Sequence, residues 1–459
     1  MRRISLYLLV GALVATCARV VGVSLLAEEA KAAAAKKKEV PSLRAETRGR
    51  RTPGRAQSES FRPNTFDGQT ERPDADARRQ PREHRLQRGA SFDGDVRGLP
   101  QAFQVVKRER PEREGPDPRP VMAPGTSTAP DTSLQVDAPP SLSAPAPGPI
   151  ANFDGLDFAG WGAGHPPDTN GDVGPTYYIQ TINTSVGIYD KTGVRVAAFT
   201  FNTLMSQGNF GNLCDTDNFG DPVVLYDSFD DRWVITDFAF KLSGGAVVNP
   251  PGSFQCFAVS KSGDPVAGGW NFYSINTAGG LGDYPKFGIW PDGLYMSANM
   301  FGFPAGGAFQ NVRAYALNKA QMYAGAPSVQ VISFDAPAAE FTLLPSNARI
   351  QTGTPPPGTP NYYVSTGRFL NALTVYRFHV DWNSIASSTF TGPDVPLAAT
   401  SWPNANVPNA PSLGGNNLDV LQVRAMMQNQ YTNLGGVESL WDTHTVRRAN
   451  ATGFAAPRW

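Results

Sequence analysis

Residues 221–239, DPVVLYDSFDDRWVITDFA, constrain the fold more than any other stretch of this chain. Val223 and Leu225, then Trp233 and Ile235, keep a period-2 register. Between the two runs lies a polar cluster, Asp227 to Asp231, of the kind that turns a chain. The stretch therefore predicts a strand, an acidic turn and a second strand. The same grammar recurs at Tyr177 to Tyr189, Phe254 to Ser260, Phe287 to Asn299, Val312 to Leu317, Asn361 to Phe378 and Val423 to Trp441. Aligned on Tyr177, Trp233, Tyr295, Tyr362 and Trp441, the copies lie 56, 62, 67 and 79 residues apart.

A small antiparallel sheet used repeatedly, with no amphipathic helix of any length between copies, predicts an all-β fold and within that class a β-propeller. One such sheet cannot bury both its faces; neighbours packed radially cover them and leave only short edges. The spacings exceed the roughly 40–50 residues usual for a blade, so about five to seven blades with long loops are expected. The structural rival is a large β-sandwich, which needs turn signals every ~8–12 residues without the longer period.

Charge divides the chain. Residues 28–150 hold 22 Lys/Arg and 18 Asp/Glu, whereas residues 151–459 hold 15 and 22, and only Glu340 and Glu438 among those acids are Glu. The acidic half lacks the basic face that nucleic-acid binding requires. Residues 1–27 read as a signal peptide or N-terminal anchor: Met1-Arg2-Arg3, then an apolar run broken by Arg19. Cleavage near Cys17, with or without lipidation, cleavage after Ala27, and an uncleaved anchor all stay open, and membrane contact is expected through this segment alone. Residues 28–150, rich in Arg, Pro, Gly, Asp and Ser with few large apolar side chains, predict a disordered stalk or linker. The folded domain is then 151–459. Export to the cell surface, periplasm or medium makes a disulfide between Cys214 and Cys256 the favoured state of those thiols.

Five further stretches carry a resemblance: Pro166-Pro-Asp-Thr-Asn-Gly-Asp-Val-Gly174, Asp221 to Asp227 with Asp231-Arg-Trp233, Ala258 to Pro265, Asp283 to Asp292, and Glu438-Ser-Leu with Thr443 to Val446. In this order the chain resembles a family of secreted bacterial propeller-like proteins without an assigned activity. The resemblance implies a propeller and export, and it supplies no catalytic residues. Members of that family run on past the position of Arg458-Trp459, so it also implies a ring left incomplete at the C-terminus.

Candidate sites are sparse. Asp168, Asn170 and Asp172 space oxygen donors at every second residue, as at the start of a Ca²⁺ loop, but Val173 stands where Gly is usual and a closing acid is missing, so a plain Asx-rich turn is the favoured reading. Asp215, Asp217 and Asp221 form a weaker second set. Ser260 to Trp270, SKSGDPVAGGW, resembles the Asp-box turn of sialidase-type propellers, a bracing role. Asp221, Asp283 and Glu438 sit near strand ends in different repeats and are the carboxylates that could meet at one mouth for glycosidase chemistry, but Asp-Pro and Asp-Tyr-Pro at strand starts are also good turn formers, which is the favoured reading. His165, His379 and His444 are too scattered for a metal site. The sequence therefore points to a binding or structural module for an extracellular protein or glycan, with a carbohydrate-active hydrolase as the alternative.

Overall fold

The computed structural model describes residues 70–71, 79–101, 105, 148–243, 246–277, 279–303, 307–369, 371–396, 407–412, 417–447 and 454–459, all within the unit that runs from Phe66 to Trp459. The predicted leader and most of the predicted stalk lie outside the described residues.

Strands dominate, and they come in meanders. The first is Asn170–Val173, Tyr177–Ile182, Ser185–Asp190 and Arg195–Thr200. The second is Asn218–Asp227, Arg232–Phe240, Ser253–Ser260 and Trp270–Asn276. The third is Leu281–Trp290, Gly293–Phe301, Phe309–Leu317 and Ser328–Asp335. The fourth is Leu344–Asn347, Asn361–Ser365, Thr374–His379 and Thr389–Pro396. The fifth shows three strands among the described residues, Ala425–Leu434, Val437–Arg447 and Ala455–Arg458. Tyr177, Trp233, Tyr295, Tyr362 and Trp441 each fall on the second strand of one meander.

Alternation along each strand feeds two cores at once. On Arg232–Phe240, Trp233 and Ile235 pack with Ile179, Val186 and Phe199 of the first meander, while Val234 joins Val223, Phe287 and Ile289 on the other side. Trp290 and Tyr295 of the third meander face Tyr363, Tyr376 and Phe378 of the fourth. Because the middle meanders are covered on both faces, their strands read as near-continuous apolar runs.

The first strands of the meanders stand side by side and point the same way. Asn170 Oδ1 accepts from Val224 N at 2.8 Å, and two residues on, Asp172 Oδ2 accepts from Tyr226 N at 2.8 Å. Val223 and Leu225 pack with Phe287 and Ile289 of the third meander. Asn347 Oδ1 accepts from Ile289 N at 2.9 Å, and Ala348 N donates to Ile289 O at 2.8 Å. Ser346 and Asn347 then pair in parallel with Asn429 and Gln430. Edge amides of one strand are thus satisfied by short polar side chains of the next, which closes a row that would otherwise template foreign strands. Arg349 adds a cross-link from the fourth meander to the first, its Nη2 2.7 Å from Asp172 Oδ2.

One element corrects the expected domain boundary at 150. Arg82–Phe92, within the segment expected to be disordered, is an eleven-residue strand. It lies antiparallel between Ser328–Asp335 and Trp270–Asn276, joining the second and third meanders into one nine-stranded sheet that curls into a nearly closed, barrel-like wall. Thr70–Glu71 pairs in turn with the outer strand of the fourth meander. The composition misled because this strand is held by backbone hydrogen bonds on both sides; Leu86, 2% exposed, is its one fully buried residue, and Phe92 packs half-buried against a second core.

Cys214 and Cys256 are disulfide-bonded with Cα atoms 5.8 Å apart, tying the turn before the second meander to that meander's third strand. The bond is compatible with an oxidising compartment outside the cytoplasm. The Ser260–Trp270 loop is braced by its own side chains. Ser260 Oγ accepts from Trp233 N at 2.8 Å, Asp264 Oδ1 accepts from Val266 N at 2.8 Å, and Trp270 Nε1 donates to Pro265 O at 3.1 Å.

Candidate functional site

The parallel first strands gather their starting residues at one end of the molecule. Backbone there is unusual: Asp168, Asp221, Tyr284, Thr342 and Leu421, at or just before the first strand of successive meanders, all have φ between 42° and 52°. Such angles are uncommon outside glycine and are outliers for Thr and Leu, so they persist only where neighbours impose them. Two of the braces are asparagines. Asn183 Oδ1 accepts from Asp221 N at 3.0 Å while its amide donates to Asp168 Oδ2 at 2.5 Å. Asn299 Oδ1 accepts from Thr342 N, and its amide donates to Thr342 Oγ1, each at 3.0 Å. Gly220 completes the corner with φ at 132°, and a Cβ there would fall 2.1 Å from Asn183 Oδ1.

The carboxylates singled out in the sequence separate into two groups. Asp221 and Asp283 both lie at this end, each at a bulge in the first strand of its meander. Asp283 Oδ1 accepts from Tyr284 N at 3.0 Å, bracing the turn. Glu438 does not join them. It sits beside Asn433, just past the 435–436 turn at the far end of the fifth meander's first strand, and accepts from the Tyr431 hydroxyl. Burial, then that contact, hold the Tyr431 phenol well above its ordinary range.

The oxygen donors of the Ca²⁺-loop reading each make contacts within the protein. Asp168, Asn170 and Asp172 meet Asn183, Val224 N, and Tyr226 N with Arg349, respectively. In the second set, the Asp215 carboxylate accepts from Phe210 N at 2.9 Å and Gly211 N at 2.8 Å. Among the described residues, no group of three or more His, Cys, Asp or Glu side chains is placed to hold a metal ion. His165 packs against Phe158 with tilted rings whose centroids are 4.5 Å apart, and burial pushes the His444 imidazole down to about 3.

Composition gave no hint of what surrounds Tyr284. Lys286 Nζ lies 3.4 Å from its ring centroid and the Arg424 guanidinium 4.5 Å from it, so two cations flank one aromatic face system. Arg424, 2% exposed, also lies 5.3 Å from the Phe341 ring. Phe238, Phe240, Phe301 and Phe341 form an apolar cluster at this end, with Phe219 stacked on Phe240 at 4.3 Å. The only textual signal was the proline after each bulge, Pro222 and Pro285, which bars the preceding residue from helical angles. Asp221, Tyr284 and Lys286 are half-buried at this end, whereas Arg424, Asp283 and the Phe341 ring are buried.

Two buried ionic clusters lie elsewhere. Lys319 Nζ bridges Asp227 at 2.8 Å and Asp230 at 2.7 Å, pinning the short helix Lys319–Tyr323 to the turn of the second meander. Glu340 accepts from Tyr376 at 2.8 Å, Thr374 at 3.0 Å and Arg368 at 3.3 Å; burial nevertheless raises its carboxyl above the usual range. The first joins the third meander to the second, and the second joins the loop before the fourth meander to that meander's third strand.

Comparison of the chain with protein-family profiles, with curated proteins and with solved structures found no match.

Proposed function

We propose that this chain is an exported recognition module, a β-propeller-like ring whose five meanders act as blades, akin to the secreted propeller-like proteins it resembles in sequence. It meets an extracellular protein or glycan at the rim where the first strands begin. The observation that carries this reading is the parallel row of first strands, which brings five strained residues and the Tyr284 cluster to one end. Strain held in place by dedicated asparagines is a common mark of a working surface, and loops and strand ends on a rigid scaffold are where recognition residues concentrate.

The alternative, a carbohydrate-active hydrolase, draws on Asp221 and Asp283 lying at the same end of adjacent meanders. Without Glu438 it has lost one of its three acids. A panel of extracellular glycans and proteins, assayed for binding and for release of reducing ends, separates the two. Recognition predicts saturable binding without turnover, weakened by Tyr284→Ala and Lys286→Ala. Turnover abolished by Asp221→Ala or Asp283→Ala, in variants that still fold, would replace recognition with hydrolysis.

A further inference from the structure

The fifth meander holds a buried carboxyl that recognition at the rim does not use. Asp442 lies on the strand Val437–Arg447, on the inward face with Leu440, His444 and Val446. Its Oδ1 accepts from Thr443 N at 2.7 Å, while its Oδ2 is buried and has no hydrogen-bond donor among the described residues. Trp441 pairs with Gln430, so the next residues of the two strands, Asp442 and Asn429, stand across from each other where the ladder shifts register. Asn429, 1% exposed, donates through Nδ2 to Leu344 O at 3.2 Å and to Ser346 Oγ at 3.1 Å, both on the first strand of the fourth meander. The Leu344 carbonyl fixes which way the amide points, and Asn429 Oδ1 is left buried without a donor among the described residues.

Two buried acceptors thus lie across one step of the ladder, and each lacks a donor. Buried polar oxygens are normally hydrogen-bonded, and buried charges are normally paired. A protonated carboxyl repairs both faults, since its O–H donates and it needs no counter-charge. We propose that Asp442 carries a proton that it donates to Asn429 Oδ1, and that this bond latches the fifth meander to the fourth in acid and releases it as the medium turns alkaline. Burial, opposed only by the Thr443 amide, raises the Asp442 carboxyl to about 7. Nearby charges leave it alone. His444, two residues on along the same face, is kept neutral by burial and then by Arg458. Glu438 is engaged by the Tyr431 hydroxyl, and Arg447 stands on the opposite face. Across the ladder Met427, Gln428 and Gln430 are uncharged, and the fourth-meander strands bring Tyr362 and Tyr363, both held above their ordinary range. Asp283, Lys286 and Arg424, toward the rim, shift the Asp442 carboxyl in neither direction.

The folded chain binds this proton before the unfolded one does, so the latch contributes fully below pH ~4 and is lost as pH climbs toward ~7. His444 runs the other way, because there the unfolded chain takes up the proton first. The two offset in the parent chain, so the test compares it with Asp442→Asn, which keeps His444. Asn presents an amide N–H to Asn429 Oδ1 and cannot ionise. In denaturant unfolding of the full chain, the folding constant of Asp442→Asn relative to the parent should rise roughly tenfold or more between pH ~5 and pH ~8.5. Hydrogen exchange, corrected for the intrinsic effect of pH, should open Val437–Arg447 ahead of Arg232–Phe240 at the higher pH in the parent and not in the variant. Infrared spectra at pH ~5.5 should contain a protonated-carboxyl component that Asp442→Asn removes. A relative stability that does not change with pH overturns the proposal, as does a parent chain in which the strand opening ignores pH or the infrared component is missing. A parent profile that shifts with a chelator would put a cation in place of the proton and equally overturns it. Recognition at the rim stands or falls separately, on ligand binding at Tyr284.

Discussion

The second and fifth meanders are written in the same grammar and end in opposite environments. Trp233 and Trp441 both lie on the second strand of their meander, yet Trp233 is fully buried and Trp441 is 41% exposed. The second meander has a neighbour on each face, the Arg82–Phe92 strand on its outer edge and a disulfide at its start. Across its inner edge, Asn170 and Asp172 take up its amides. The fifth packs one face on the rest of the molecule and presents Trp441 on the other. Aromatic alternation therefore specifies a strand, while the neighbours on each side decide whether its aromatic becomes core or surface.

That contrast breaks most sharply at the tryptophans themselves. Trp233→Ala should cost about 3–5 kcal/mol, because it empties a packed core and leaves Gly263 O without its donor. Trp441→Ala should change stability by less than about 1 kcal/mol. Denaturant unfolding of the two variants checks the pair, and equal losses would erase the distinction. Nearly as large is the effect expected at Lys319, since Lys319→Met leaves Asp227 buried without its cation and should cost about 3–5 kcal/mol. Lys261→Met, which removes the ion pair to the exposed Asp93, should cost less than about 1 kcal/mol. Replacing Cys214 and Cys256 with Ser should cost about 2–5 kcal/mol, read as a lower melting temperature under non-reducing conditions.

Smaller still is a pH effect on the Arg82–Phe92 strand. Burial, then the positive charges of Arg313 and Arg82, lower the His84 imidazole below its ordinary value, and it shares a 2.8 Å hydrogen bond with Ser333. The unfolded chain then takes up the proton first. Stability is full above pH ~6.5 and falls as pH drops through that value toward the lowered folded one. His84→Gln should flatten this slope in melts between pH 7.5 and 5. An unchanged slope would mean that His84 is not the titrating group.

How much of this could be read in the sequence follows from what each residue type reports. Tyr177, Trp233, Tyr295, Tyr362 and Trp441 found the second strand of every meander, because large aromatics at period 2 mark half- or fully buried strands. Cys214 and Cys256 likewise stand as a disulfide. Arg82–Phe92 was hidden because a strand slotted between two edges is paid for in backbone hydrogen bonds, which leave no mark on composition. Asn170 and Asp172 resembled metal ligands because the same short oxygen donors that suit Ca²⁺ also reach a neighbouring strand's amide. Glu438 was grouped with Asp221 and Asp283 by position near a strand end; which end is a property of topology, and one hairpin turn puts it on the wrong side.

The central claim is that the first strands stand directly against one another, and Gly288 tests it. Its φ is ordinary, but a Cβ there would fall 2.3 Å from Ser346 O on the first strand of the fourth meander. In a strand with room beside it, Gly288→Ala should stabilise by about 0.4–1 kcal/mol through the unfolded state. The side-by-side arrangement predicts the opposite sign, a loss of about 1–3 kcal/mol in denaturant unfolding. A neutral or stabilising Gly288→Ala would contradict it.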